Sequence, residues 1–182
     1  MAVPEVQQAD HLSRLFSRAL RRLLATGLDE RCGLTDSQYQ ALAFIGSHPG
    51  CTVGELATGL AVTCPAATKL VDRLEAKGLA LRQTWDLDRR RVKLELREPG
   101  SRRLALVEQA RLQALDQVLS QLNRPERVGL LRGLEVLLSA VVTDAGLAAS
   151  LCLHCGTGHD QACPLNRLHR ALAGTDLPAT LA

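Results

Sequence analysis

Two helix starts that follow each other closely constrain the fold more than any other feature of this 182-residue chain. Thr52-Val-Gly-Glu55 matches a capping box, in which the two outer side chains each bond a backbone N–H in the first helical turn. This pattern predicts a helix that continues to about Leu60. Thr63 can cap a second helix, with Pro65 tolerated in its first turn and Gly78 at its end.

A strand pattern follows the second helix. In Arg91–Leu96 apolar residues alternate with charged ones, which is the period of a half-buried strand, and residues 79–83 supply the other half of a hairpin. Helix, turn, helix and hairpin form a winged helix-turn-helix, so the sequence predicts a mainly α-helical protein with a small β wing. The second helix of such a unit fits the major groove of DNA, and the hairpin reaches the adjacent backbone or minor groove.

The charge distribution agrees with this prediction. Residues 63–103 hold eleven Lys and Arg and six Asp and Glu, a local net charge of +5, whereas the whole chain has a net charge of +3. Phosphates dominate the affinity of proteins for DNA, so a basic excess at this place indicates where a duplex would dock.

The expected DNA contacts lie on the second helix and at the hairpin tip. Side chains near the helix N-terminus can reach base edges, small side chains allow close approach, and Arg73, further along, is suited to a phosphate. The alternatives are a purely capping role for Thr63 and a solvated loop for the arginines. The predicted set is Thr63, Pro65, Ala66, Thr68, Lys69, Arg73, Asp88, Arg89, Arg90 and Arg91.

The order of elements, the Leu70–Leu79 segment and Asp86-Leu-Asp-Arg-Arg-Arg-Val92 resemble bacterial transcription regulators of the MarR type. The resemblance covers about residues 10–149. In that family an Asp-x-Arg element, here Asp88 and Arg90, occurs in the wing: the Arg enters the minor groove and the Asp helps to hold the wing. The family commonly continues its strand with Leu-Thr-x-x-Gly, whereas this chain has Leu96-Arg-Glu-Pro-Gly100.

Apolar residues at helical spacing predict further helices on both sides of this unit. We expect helices over Asp10–Thr26 and Thr35–Ser47, the latter opened by a second capping box, then from Gly100 to about Gln121 and from Pro125 to about Ala149. The predicted organisation is a DNA-binding core over 33–100, dimerisation helices over 10–30 and 101–149, and a tail over 150–182.

The last of these helices is apolar around nearly its whole circumference, with Leu130, Leu134 and Leu138 among its residues. Such a helix is either deeply buried or lies in an interface. The resemblance implies an interface, because MarR-type proteins dimerise through their terminal helices. A two-fold dimer would present two recognition helices about one DNA turn, roughly 34 Å, apart on a pseudo-palindromic operator.

The tail contains the second chemical feature, a cluster of cysteines and histidines. Cys152 and Cys155 form a Cys-x-x-Cys turn, Cys163 follows before a proline, and His154 and His159 lie among them. Thiolates at this spacing can face one metal ion. The segment also resembles the cluster-binding tail of the SoxR proteins, although Thr157 replaces the third of their four cysteines.

Several roles for the tail remain open. An iron–sulfur cluster held by the three thiolates with His159, His154 or Asp160 is favoured over a zinc site with three Cys and one His. A thiol switch ranks third and haem ligation through Cys163 ranks fourth, and an inert tail is the alternative in which these residues have no chemical role. Among the other cysteines, Cys32, Cys51 and Cys64 are expected to be packed side chains, with oxidation of Cys64 at the DNA surface as the less favoured alternative.

We therefore expect a cytoplasmic homodimeric regulator, a repressor, whose affinity for double-stranded DNA responds to metal or redox state through the tail. Six cysteines in a chain without a signal peptide or membrane-length apolar run favour metal or redox chemistry over disulfides. No catalytic constellation is evident. The rival hypotheses are a regulator that responds to a small-molecule effector and has a structural zinc tail, and a small iron–sulfur redox enzyme.

Overall fold

The computed structural model describes residues 3–25, 33–84, 92–155 and 163–177. The helices are α1 (Val3–Ala25), α2 (Asp36–Ser47), α3 (Val53–Gly59), α4 (Cys64–Ala76), α5 (Glu98–Leu119), α6 (Arg124–Val141), α7 (Ala145–Cys155) and α8 (Pro164–Ala173), and the strands are β1 (Ala80–Thr84) and β2 (Val92–Leu96). The protein is mainly α-helical with a two-stranded wing, as the sequence predicts.

Both predicted capping boxes are confirmed. The Thr35 and Thr52 side chains accept the N–H groups of Gln38 and Glu55, whose own side chains accept the backbone N–H groups of the two threonines. Each box fixes the start of a helix by satisfying backbone donors that have no partner within the helix. A third capping box, at Asn123 and Glu126, opens α6.

The apolar core of the predicted DNA-binding unit, residues 33–100, is built by α2, α3, α4 and the wing. Its fully buried side chains include Phe44, Leu56 and Leu74, and the strands contribute Leu79 and Leu94. Burial of each large apolar side chain contributes about 1.5–3 kcal/mol, so this cluster gives a rigid support to the exposed face of α4.

The wing is an antiparallel hairpin in which Ala80 pairs with Leu96 and Thr84 with Val92. On its other side β2 is bonded to the segment before α3: the Leu94 N–H donates to the Cys51 carbonyl at 2.7 Å, and the Gly50 N–H donates to the Leu94 carbonyl at 3.1 Å. The wing is thereby joined to the start of the helix-turn-helix through backbone hydrogen bonds.

Two predicted helix boundaries are wrong. Helix α1 begins at Val3 rather than at Asp10, since Pro4 is tolerated in a first turn and Glu5 is favourable there. The last predicted helix ends at Val141 and not at Ala149. Asp144 then starts α7, and its side chain accepts the Leu147 N–H at 2.9 Å.

The tail begins as a folded helical hairpin. Helices α7 and α8 enclose a second small core in which Val142, Ala148, Cys152, Leu165 and Leu177 are buried. The Asn166 side chain accepts the Leu177 N–H at 2.8 Å. This hydrogen bond holds the segment that follows α8 against the helical hairpin. The predicted boundary between residues 149 and 150 therefore lies inside α7. None of the helices in the described ranges is long and apolar enough to cross a membrane.

Candidate nucleic-acid interface and cysteine tail

Helix α4 presents one buried and one exposed face. Ala67, Leu70, Val71 and Leu74 point into the core, and Ala67 is fully buried, so it is a packing residue. The predicted contact residues of this helix and its cap lie on the opposite side and are all exposed: Thr63, Pro65, Ala66, Thr68, Lys69 and Arg73. The sequence pattern thus separates the two faces correctly.

The N-terminal turn of α4 is held by two hydroxyl groups. The Thr63 side chain accepts the Ala66 N–H at 3.4 Å, as expected for a cap. The Thr68 hydroxyl donates to the Cys64 carbonyl at 2.9 Å, one turn back, and its oxygen keeps lone pairs for a further donor. Both threonines therefore order the turn that would approach base edges.

The basic residues near α4 divide into two groups. Lys69 and Arg73 are exposed and form no ion pair within the described part of the chain. Lys77, in contrast, donates to the Gly33 carbonyl at 2.7 Å and to the Gln38 side chain at 2.9 Å, and so ties the end of α4 to α2. Lys69 and Arg73 are the cations of this helix that remain available to a duplex.

Arg82 on β1 is a residue that the sequence interpretation did not single out. Its guanidinium forms ion pairs with Asp72, at 2.8 Å, and with Glu75, both on α4. Its backbone N–H also donates to the Glu75 carboxylate at 2.8 Å. Asp72 and Arg82 lie ten residues apart on different elements, and no helical or strand periodicity relates them. Their ion pair therefore becomes visible only in the folded structure.

The remaining predicted DNA contacts, Asp88 and the arginines at 89–91, lie outside the described residues. The described ends of the hairpin, Thr84 and Val92, pair directly with each other. These predictions at the wing tip stay predictions.

Two of the non-tail cysteines have opposite environments. Cys51 is buried in the main core, as expected, and burial together with the nearby Glu55 carboxylate raises the pKa of its thiol to about 12. Cys64 is exposed in the first turn of α4, so the prediction that it is a packed side chain is wrong. The reason is that the neighbouring turn residues, Thr63 and Pro65, are exposed as well. Cys32 lies outside the described residues.

The tail cysteines occupy a helix and a helix entrance. The expected Cys-x-x-Cys turn is wrong, because residues 152–155 form the last turn of α7, in which Cys152 is buried. Cys163 precedes α8 and packs against the same small core. For His154 and Cys155 only the backbone is described, and His159 lies outside the described residues. No group of three His, Cys, Asp or Glu side chains in the described ranges is arranged to hold a metal ion.

A partly buried polar cluster connects α2 to α5. The Tyr39 hydroxyl donates to the Glu108 carboxylate and accepts from Arg111, whose guanidinium also pairs with Glu108 at 3.1 Å. Burial and the hydrogen bond to Glu108 raise the pKa of Tyr39 to about 12. The arginine also lies over the Tyr39 ring, 5.3 Å from its centre.

The chain is similar in sequence to bacterial transcriptional regulators. A sequence model of the MarR family matches residues 33–91. A protein assigned as a transcriptional regulator for the hcr operon of Thauera aromatica is 35% identical over 127 residues, which cover 68% of this chain and 76% of that protein. The HTH-type transcriptional repressor MdtR of Bacillus subtilis is 31% identical over 115 residues, covering 63% and 73%.

Solved structures show the same architecture. A MarR family protein from Bacillus stearothermophilus has a TM-score of 0.70 and 27% identity, covering 79% of this chain and 99% of the other. A complex of MepR from S. aureus with DNA has a TM-score of 0.59 and 25% identity, covering 72% and 98%.

Proposed function

Because the chain belongs to the MarR family of winged helix-turn-helix transcriptional regulators, which are not enzymes, we propose that it is a homodimeric repressor of a pseudo-palindromic operator. The observation that supports this most directly is the exposed face of α4, where Lys69 and Arg73 form no ion pair with any residue that the structure describes. A helix that presents small side chains at its start and cations along one face suits the major groove and its flanking phosphates.

The test is a titration of duplex DNA recovered from a random-sequence pool by the parent protein. Arg73→Ala should weaken binding to this duplex and to an unrelated duplex alike, and should reduce the salt dependence by about one unit. Arg90→Ala should weaken the selected duplex by roughly 1–3 kcal/mol, as expected for a groove contact. Arg102→Ala is the matched control, because Arg102 is an exposed arginine paired with Glu98 on α5. Parent-like binding by both Arg73→Ala and Arg90→Ala would overturn the docking mode.

The dimer is proposed from the surface of the long helices. Helix α6 has no buried residue in the single chain, although it is rich in leucine and valine. Helix α1 also has exposed apolar residues. Those of the two helices include Leu12, Leu15, Phe16, Leu131, Leu134, Leu137 and Val141. An exposed apolar surface of this kind needs a partner, and a second copy would cover equivalent helices on both chains.

The tail is proposed to carry the signal through a metal site. Cys152, Cys155 and Cys163 would supply thiolates and His159 or His154 a fourth ligand to an iron–sulfur cluster, with zinc as the alternative. Residues three apart in a helix share a face, so placement of Cys152 and Cys155 in α7 is compatible with ligands to one centre. Cys152 and Cys163 also belong to one small core, which brings both ends of the intervening segment to the hairpin.

Absorption and metal analysis of protein purified without oxygen test this site. Brown protein with broad visible absorption and bound iron supports the cluster, whereas colourless protein with one zinc per chain supports the alternative. Cys152→Ser, Cys155→Ser and Cys163→Ser should each lower the metal content, because loss of one thiolate opens the site to exchange. Metal must also change the DNA affinity of the parent, since a ligand shifts an equilibrium only by its differential affinity. Equal DNA affinity with and without metal would leave the tail a structural element and favour a small-molecule effector.

A further inference from the structure

Helix α4 carries two carboxylates close to its exposed cations, Lys69 and Arg73. Asp72 precedes Arg73 directly, and Glu75 follows within the same turn. Carboxylates so close to a phosphate backbone oppose binding, because like charges within a Debye length, about 10 Å at 0.1 M salt, repel each other. The helix therefore needs a device that offsets these charges without occupying the surface that meets the DNA.

Arg82 provides four interactions to α4 from the neighbouring strand. One guanidinium nitrogen pairs with Glu75, and the other pairs with Asp72 at 2.8 Å and lies 3.4 Å from the Thr68 carbonyl. The Arg82 backbone N–H donates to Glu75 at 2.8 Å. Because the fork of the guanidinium is planar and rigid, two carboxylates on one side fix its orientation.

The position of Arg82 makes it a link between the two halves of the interface. It lies in β1, and its Cα partner across the hairpin is Leu94, which is fully buried in the core. The side chain itself is only about a quarter exposed, at 27%. A strand that leads to the wing tip is thus bonded through one residue to the middle of the recognition helix.

We propose that Arg82 is a positioning residue for DNA binding, which holds β1 on α4 and neutralises Asp72 and Glu75 without contacting a phosphate itself. This inference rests on the proposed DNA-binding function. The competing role for an arginine in a basic interface is direct phosphate contact, and the two roles predict different responses to salt and to removal of the acids.

The experiment compares the parent with R82Q, R82K and the triple variant R82Q/D72N/E75Q on the duplex selected by the parent. R82Q leaves two uncompensated carboxylates on α4 and should weaken binding by about tenfold or more. R82K keeps the charge without the fork and should lose less. The triple variant removes the repulsion, and the amide oxygen introduced at position 75 can still accept the backbone N–H of residue 82, so this variant should recover at least half of the loss in log affinity.

Salt dependence separates positioning from contact. Loss of a phosphate contact would reduce the slope of log affinity against log salt by about one unit in R82Q and in the triple variant alike. In the proposed role the loss in R82Q comes from carboxylates whose repulsion is screened by salt, so the triple variant should return the slope to that of the parent. The proposal is overturned if R82Q binds within twofold of the parent, if the slope of the triple variant stays about one unit below that of the parent, or if the triple variant stays as weak as R82Q.

Two controls complete the test. Arg102→Gln removes an exposed arginine that is paired with one acid on its own helix, and it should bind as the parent does. Thermal unfolding of all variants shows whether they fold. If R82Q does not fold, R82K replaces it in the comparison of DNA affinity with the parent. Parent protein that selects no duplex, or an Arg73→Ala variant without effect, contradicts the proposed function itself rather than the role of Arg82.

Discussion

Replacement of Gly100 by alanine tests how closely the wing is joined to the long helix α5. Gly100 lies in the first turn of α5, where an added Cβ would be 2.0 Å from the carbonyl oxygen of Leu79 and 2.9 Å from its carbonyl carbon. These atoms belong to the backbone at the start of the wing. The same oxygen accepts the Arg97 N–H at 2.9 Å, so it cannot move away without weakening that bond.

The magnitude follows from two opposing contributions. Alanine in place of glycine favours a helix by roughly 0.5–1 kcal/mol. An overpacked contact costs about 1–3 kcal/mol and more where the neighbour cannot yield, and a backbone carbonyl cannot yield as a flexible side chain does. We expect Gly100→Ala to lower the free energy of unfolding by about 1–3 kcal/mol and to weaken DNA binding, because α5 and the wing must move apart.

The matched control is Gly54→Ala in α3, where the nearest atom to an added Cβ is the Thr52 hydroxyl at 3.8 Å, an ordinary contact. Denaturant unfolding of both variants at one protein concentration, beside DNA titration, gives the comparison, since the stability of a dimer depends on concentration. Equal stability of Gly100→Ala and Gly54→Ala would refute the close backbone approach.

Three further predictions concern pH, assembly and the tail. Burial raises the folded-state pKa of Tyr39 from 10.0 and of Cys51 from 9.0 to about 12 each. The stability that each neutral group contributes is therefore fully present below pH 9 and is lost as the pH rises towards 12. The decrease in the free energy of unfolding at alkaline pH should accordingly be smaller in Tyr39→Phe and Cys51→Ala than in the parent. Leu134→Asp should give monomers in sedimentation and abolish operator binding, because it places a charge in the proposed interface; a dimer that persists would contradict that interface. A chain that ends at Ala149 cuts α7 and removes Leu165 and Leu177 from Ala148, so thermal unfolding should show it to be less stable than a chain that ends at Val141.

The fold of the DNA-binding unit could be predicted because its signals are local. A capping box spans four residues, and the alternation in β2 spans five, so both are visible without knowledge of the fold. The sequence also separates the exposed and buried faces of α4. The exposure of Cys64 was missed because apolar character alone says little about a helix N-terminus, where the chain enters from solvent.

The break between α6 and α7 was missed for a different reason. The apolar residues of Arg124–Val141 and of α7 form a nearly continuous pattern, which hides a change of direction at residues 142–144. Asp144 carries the capping signal that could have located it. An ion pair between different elements, such as Arg82 with Asp72 and Glu75, leaves no local pattern in the sequence. The charge count therefore identifies a basic region, but it does not show which cations already have partners within the protein.

This division of the cations bears on how the proposed complex would recognise sequence. Lys77 and Arg82 are used to hold α4, so Lys69 and Arg73 are the cations that α4 itself offers to a duplex. The first turn of α4 carries Pro65 and Ala66, which have no side-chain donors, and apolar groups there can distinguish only a thymine methyl. Direct hydrogen-bonded readout by α4 then falls mainly to Lys69 and to the hydroxyl oxygen of Thr68. Discrimination beyond those base pairs must come from the arginines of the wing and from the shape of the duplex. The ion pairs of Arg82 with α4 would hold the wing at a fixed position relative to α4.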